Sequence, residues 1–144
     1  MKNKGFTLLE LILTISIILI LLSVSTFSFN VKDKIESKYQ IKEFVTNIKF
    51  IKNYAQINNC RTSIVLTEDG YTIHLDNKSK EIKFNKLIEV SEKNVSDIRF
   101  TTTGKPSFLN KKNSAGTIVF IVDKDKQYTL KILPVTGKVN LIEN

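Results

Sequence analysis

The chain begins with a long run of apolar residues. Between Phe6 and Phe29 only serines, threonines and one charged residue, Glu10, interrupt it. As a helix, this run is long enough to cross the ~30 Å hydrocarbon core of a bilayer. Its hydroxyl groups can bond to carbonyls of the preceding helical turn, so they are compatible with a span. The pattern therefore predicts a membrane-spanning helix over residues 6–29.

The helical pattern continues beyond the apolar run but becomes one-sided. Apolar residues recur at spacings typical of one helix face, at Ile35, Ile41, Phe44, Val45, Ile48, Ile51 and Ala55. No proline or glycine lies between Phe6 and Asn58. We therefore expect one helix that is apolar all round in its first half, amphipathic in its second half, and ended by Asn58 and Asn59.

Beyond Cys60 the apolar residues alternate with polar ones, which is typical of β-strands. The clearest pair, 62–66 and 71–75, flanks a turn that contains Gly70 and predicts a hairpin. Further strands are predicted at 81–84, 87–90, 97–101, 116–122, 128–132 and 138–141, with a polar loop from Thr103 to Ala115. Short turns between strands favour an antiparallel sheet packed on the amphipathic half of the helix, an α+β fold.

The residues around the start of the apolar run form an unusual motif. Lys4-Gly5-Phe6-Thr7-Leu8-Leu9-Glu10 places a carboxylate five residues after a glycine, at the edge of a predicted membrane span. An acidic side chain in lipid is costly, so it needs a partner and indicates a function.

This motif resembles the N-terminal signature of type IV prepilins and type II secretion pseudopilins. The resemblance implies that a prepilin peptidase cuts between Gly5 and Phe6 and that Phe6 is then methylated. Residues 1–5 would be a cytoplasmic leader, residues 6–29 a membrane and assembly helix, and residues 30–144 an extracytoplasmic domain. The mature protein would pass from the cell membrane to the cell surface, in a pilus or pseudopilus.

The C-terminal half is similar to the minor pilins of the GspH/FimT type and to the competence pseudopilin ComGD. The similar segments are Ile98-Arg99-Phe100, Gly104-Lys105-Pro106, Gly116-Thr117-Ile118, Tyr128-Thr129-Leu130 and Gly137-Lys138-Val139. The resemblance implies a structural subunit that helps a filament to assemble, with other major and minor pilins as its partners.

Glu10 is the predicted assembly residue. The cation that processing itself creates is the amine of Phe6, on the same or a neighbouring subunit. Removing one member of a buried ion pair costs about 3–5 kcal/mol. Replacing Glu10 by alanine should therefore disfavour extraction of the subunit from the membrane into a filament.

Two alternatives remain open. Ser23-Val24-Ser25 resembles an ordinary signal-peptidase site, and cleavage before Thr26 would release a soluble secreted domain. The formal net charge of +8 makes nucleic acid, acidic wall polymers or anionic lipid candidate partners, which charge alone does not rank. A DNA-binding minor pilin, acting as a receptor in DNA uptake, would use a surface of basic residues and one aromatic side chain: Lys105, Phe108, Lys111, Lys112 and Lys138.

The sequence contains no pattern typical of an enzyme, a metal site or a cofactor site. His74 is the single histidine, lies in a predicted strand, and has no ligand partners at suitable spacing. Cys60 is the single cysteine, which excludes an intrachain disulfide and leaves a packed thiol as the simplest interpretation.

Overall fold

The structure is a computed structural model that describes residues 7–76, 78–109 and 112–144, without the side chains of residues 24–30, 109 and 112. The chain divides into two compact units, residues 1–33 and residues 34–144. The second unit contains all of the β-structure and the buried core.

The first element is the helix α1, which runs from Leu8 to Ile57. It ends in the way that the two asparagines predict. Asn59 adopts a left-handed conformation with φ 51°, and the N–H of Cys60 donates to the carbonyl of Ala55 at 3.2 Å. This is a Schellman ending, in which asparagine is one of the residues that tolerate the left-handed position.

Within the described ranges 7–76, 78–109 and 112–144, no helix combines the length and apolarity required to cross a membrane. The predicted span over 6–29 includes Phe6 and the side chains of residues 24–29, which lie outside the described residues. The span therefore stays a prediction.

In the part of the chain that the structure describes, the strands form two four-stranded antiparallel sheets and one small ribbon. Sheet A has the order β3-β2-β1-β5, sheet B the order β10-β9-β8-β4, and the ribbon pairs β6 with β7. Their bounds are β1 Thr62–Leu66, β2 Gly70–Leu75, β3 Lys78–Lys83, β4 Ile88–Lys93, β5 Asp97–Phe100, β6 Phe108–Leu109, β7 Lys112–Asn113, β8 Thr117–Val122, β9 Lys126–Ile132 and β10 Val139–Glu143.

This architecture confirms the predicted α+β fold and refines it. The pattern predicted one sheet, whereas β1 pairs with β5 in one sheet and β4 pairs with β8 in another. The ribbon lies in the segment predicted as a loop, because its four residues are too few to show an alternating pattern.

The core lies between one face of α1 and the two sheets. Ile41, Phe44, Ile48, Ile51 and Ala55 have no exposed surface. Phe44 is the centre of an aromatic cluster, with ring centroids at 4.6 Å from Tyr71, 5.6 Å from Phe120 and 6.0 Å from Phe84. The prediction was wrong for Ile35, which is 52% exposed, because the buried face of the helix begins at Ser37.

Polar contacts join α1 to sheet B and to the turns between its strands, within the 34–144 unit. Lys34 pairs with Asp123, and the Nζ of Lys38 donates to Oε1 of Glu143 at 2.8 Å. Further along the helix, the Nζ of Lys52 donates to the carbonyl of Thr136 at 2.8 Å. The contacts raise the pKa of both Lys34 and Lys38, chiefly through the hydrogen bonds to their carboxylate partners.

Candidate functional site

The predicted assembly residue, Glu10, lies in the first turn of α1 and is exposed. Its backbone N–H donates to the Oγ1 of Thr7 at 3.3 Å and lies 3.1 Å from the carbonyl of Thr7. Thr7 is therefore the N-cap of the helix and Glu10 is its third residue. An acidic side chain in this turn also interacts favourably with the positive end of the helix dipole.

Thr7 is a site residue that the sequence interpretation missed. A threonine followed three residues later by glutamate, just before an apolar run, is the signature of a capping box. The segment Thr7-Leu8-Leu9-Glu10 has this signature. The predicted processing residues Gly5 and Phe6 lie outside the described residues, so cleavage and methylation stay predictions.

The helix from Leu8 to Leu22 presents apolar side chains on all sides. Every residue from Thr7 to Ser23 is exposed, including Leu8 at 78% and Leu21 at 65%. The hydroxyls in this stretch bond back to the helix, as expected. Thr14 Oγ1 donates to Leu11 O, Ser16 Oγ to Ile12 O and Ser23 Oγ to Leu19 O, each at 2.8 Å. This leaves a hydrocarbon surface with Glu10 as its charged group.

The proposed signal-peptidase site, Ser23-Val24-Ser25, falls within α1, which continues to Ile57. The side chains of residues 24–30 lie outside the description. Release of a soluble domain by cleavage before Thr26 thus remains an untested alternative.

The segments that carry Lys105 and Lys138, two residues of the predicted DNA surface, contact each other through glycines. Gly137 packs against the turn at Gly104, where a Cβ on Gly137 would lie 2.8 Å from the Gly104 carbonyl oxygen. This contact places the exposed residues Lys105 and Lys138 on adjacent turns. Phe108 is 71% exposed, in β6. Lys111 and the side chain of Lys112 lie outside the described residues.

Cys60 and His74 have potentially reactive side chains, and the surroundings of both indicate a structural role. Cys60 is partly exposed, and burial followed by a hydrogen bond to Asp76 raises the pKa of its thiol, which disfavours the reactive thiolate. His74 lies in β2, and its Nδ1 is 3.0 Å from the hydroxyl of Ser79. Among the described residues, no group of three histidine, cysteine or acidic side chains has an arrangement that could hold a metal ion.

Two comparisons with known proteins bear on this arrangement. Residues 1–26 match the family described as the prokaryotic N-terminal methylation motif. The fold is similar to that of the minor pseudopilin EpsH from the type 2 secretion system of Vibrio cholerae. That match has a TM-score of 0.55 at 9% sequence identity, and it covers 74% of this chain and 96% of EpsH. No curated protein sequence matches the chain.

The chain thus combines an N-terminal prepilin motif with a pseudopilin-like α+β fold. The predicted resemblance to type IV pilin-like proteins is confirmed at this level. The assignment to the GspH/FimT or the ComGD type stays a prediction. A role in DNA uptake stays a prediction as well.

Proposed function

We propose that this chain is a minor pilin or pseudopilin, a structural subunit that enters a type IV pilus, a type II secretion pseudopilus or a competence pseudopilus through its N-terminal helix. The observation that carries the proposal is the methylation motif over residues 1–26, joined through α1 to a pseudopilin-like fold. This combination supports a structural role.

In this proposal, a prepilin peptidase removes residues 1–5 on the cytoplasmic side and Phe6 becomes the methylated N-terminus. The apolar helix holds the subunit in the membrane until assembly. The exposed hydrocarbon surface from Leu8 to Leu22 supports this order of events. A helix that is apolar all round requires lipid or other helices around it. The membrane supplies lipid before assembly, and the filament supplies other helices afterwards.

Glu10 guides the transfer between these two environments. Its position in the first helical turn keeps the carboxylate close to the N-terminus of the mature chain. Its partner in the filament is the amine of Phe6, from the same or a neighbouring subunit. Burial of the carboxylate without that amine is unfavourable, so the pair selects for the correct axial position.

The first test of this proposal is the intact mass and N-terminal sequence of the protein recovered from membranes of its native cells. A chain that starts at Phe6 and is heavier by one methyl group supports the proposal. A start at Thr26 in the medium, or an uncleaved Met1, overturns it.

A second test separates assembly from processing. Glu10→Ala should still be cleaved after Gly5 but should be absent from sheared filaments or from cross-linked pseudopilin complexes. Ser16→Ala is the matched control, since that hydroxyl is also exposed on α1 and bonds only to its own helix. Equal incorporation of both variants would argue against the role of Glu10.

The second candidate function is a DNA receptor on the same scaffold. The contact between Gly137 and Gly104 motivates it, since Lys138 and Lys105 directly follow these two glycines and both are exposed. We expect DNA binding that weakens with salt, because each neutralised phosphate releases counterions. Lys105→Ser together with Lys138→Ser should reduce the salt slope, whereas Lys93→Ser should not; the absence of binding at low salt would exclude this function.

A further inference from the structure

A pocket of about 170 Å³ opens on the solvent face of sheet A. Its lining includes two arginines, the single histidine, two serines and one carboxylate: Arg61, Arg99, His74, Ser63, Ser107 and Asp76. It has room for several waters or for one tetrahedral oxyanion. It contains no residue proposed to act in processing or assembly.

The strand register places these side chains together. Ser63 of β1 is the direct partner of His74 in β2 and of Arg99 in β5. Directly paired residues in an antiparallel sheet point to the same face, so the three side chains form one row. The alternate positions Thr62, Ile64 and Ile98 are buried, which assigns the row to the outer face.

The basic residues of this pocket differ in type from those of the rest of the chain. Among the 22 basic residues of the chain, only Arg61 and Arg99 are arginines, and both line this pocket. The planar guanidinium can donate two parallel hydrogen bonds to a phosphate or carboxylate, whereas lysine acts as a point charge. The lysine-rich surface of the protein therefore has its two guanidinium groups at a single place.

The two arginines differ in their contacts with the rest of the fold. Arg99 is oriented by Asp97, with its Nε donating to Oδ1 at 2.9 Å and its Nη2 to Oδ2, so Nη1 remains for another acceptor. Arg61 is exposed and makes no ion pair or side-chain hydrogen bond with any part of the chain that the structure describes. One guanidinium is held in place and the other is available to close over a ligand.

Neutral donors accompany the two charges. The Ser63 and Ser107 hydroxyls line the pocket and have no hydrogen-bond partner among the described residues. The His74 ring uses Nδ1 toward Ser79, which leaves Nε2. The carboxylate in the lining, Asp76, is exposed and accepts the Tyr54 hydroxyl at 3.1 Å through Oδ2.

We propose that this pocket binds a phosphate group through Arg61, Arg99 and the hydroxyls of Ser63 and Ser107. The group is either free inorganic phosphate or a phosphodiester within a polymer, and both present the same oxygens to the pocket. The proposal goes beyond the function in filament assembly and does not depend on it.

His74 provides a direct readout because it is the single histidine of the chain, so its ring resonances need no assignment. The full chain in zwitterionic detergent is titrated with sodium phosphate at fixed pH and ionic strength, with chloride as the balancing ion. We expect a saturable shift of the His74 ring signals. A response that is linear, or equal to that with chloride alone, overturns the proposal.

Variants assign the response to the pocket. Arg61→Ser should weaken phosphate binding at least tenfold, and Arg61→Lys, which keeps the charge but loses the planar donor pair, should weaken it less. Lys131→Ser, at an exposed position of sheet B, is the control and should bind as the parent does. An unchanged affinity in Arg61→Ser would refute the site even if His74 responds.

A second titration identifies the source of the phosphate. An oligothymidylate without terminal phosphates presents phosphodiesters alone. Saturation by the oligonucleotide at lower phosphate concentration assigns the pocket to a polymer backbone, and saturation by inorganic phosphate alone assigns it to the free ion or a monoester. Failure of both ligands to saturate the signal refutes the proposal.

Discussion

Lys38 and Glu143 connect the helix to the last strand of the chain, with Nζ donating to Oε1 at 2.8 Å. The hydroxyl of Tyr128 donates to the same carboxylate oxygen at 3.1 Å. Glu143 is the last residue of β10. Its two hydrogen bonds attach the end of β10 to α1 and to β9, so the C-terminal strand is held by side chains as well as by its sheet.

These contacts make stability depend on pH in a defined direction. The hydrogen bond from Lys38 lowers the pKa of Glu143 below its ordinary value of 4.5, and the same contact raises the pKa of Lys38 above 10.5. The contribution of Glu143 is therefore complete above about pH 4.5 and lost as pH falls through its lower folded-state pKa. The contribution of Lys38 is complete below about pH 10.5 and lost as pH rises further.

We expect Glu143→Gln to lower the urea midpoint at pH 7 and to have less effect as the pH falls below the ordinary carboxyl range. The effect should be small, since the two side chains are 39% and 43% exposed. Urea denaturation at several pH values measures it, with Glu89→Gln, an exposed residue of β4, as the control. A destabilisation that stays constant down to pH 2 would contradict the ion-pair explanation.

The aromatic cluster predicts the most damaging core substitution. Phe44 is fully buried among Tyr71, Phe84 and Phe120, so Phe44→Ala leaves a large cavity and should cost about 3–5 kcal/mol. Phe50 lies on the same helix but is 49% exposed and contacts Tyr54 with its ring. Phe50→Ala should lower the free energy of unfolding clearly less in the same denaturation experiment. Similar losses in both variants would show that Phe44 is not at the centre of the core.

Tyr71 predicts a loss of stability at alkaline pH. Burial raises the pKa of its hydroxyl to about 12, partly offset by the hydrogen bond from Asn47. The unfolded chain loses this proton near pH 10, so the contribution of Tyr71 decreases as the pH rises from about 10 to about 12.

Tyr71→Phe tests this relation. It removes the acceptor of the Asn47 amide at 2.8 Å and should cost about 0.5–1.5 kcal/mol at pH 7. It should also reduce the slope of stability against pH above pH 10. Tyr39→Phe is the control because Tyr39 is 67% exposed. An unchanged alkaline slope in Tyr71→Phe would show that other groups cause the loss.

The turn between β8 and β9 predicts a stabilising substitution. The Asp125 N–H bonds to the Val122 carbonyl at 3.2 Å, and the central residues Asp123 and Lys124 have φ of 53° and 59°. These angles are typical of a type I′ turn, for which Asp-Gly is a preferred pair. Lys124→Gly should therefore raise stability by about 0.5–1 kcal/mol. Lys126→Gly, within β9, should lower it, and loss of stability in both variants would contradict the argument.

Features that depend on neighbouring residues were predictable from the sequence. The period of apolar positions predicted α1 and its buried face from Ile41 to Ala55, and the asparagines predicted its end. Alternation predicted β1 with its observed bounds, and Gly70 predicted the hairpin to β2. The motif around Gly5 predicted the match to the methylation family. Each of these patterns reports a local geometric preference of the chain.

The partition into two sheets and the pocket on sheet A depended on the tertiary structure. The pairing of β1 with β5, and of β4 with β8, joins strands that are far apart in sequence and leaves no periodic signal within either strand. The register of those pairs sets Ser63 beside His74 and Arg99. The sequence alone therefore determined the helix, most strands and the N-terminal motif. Long-range pairing, driven by burial of the shared core, decided which polar side chains meet on the surface.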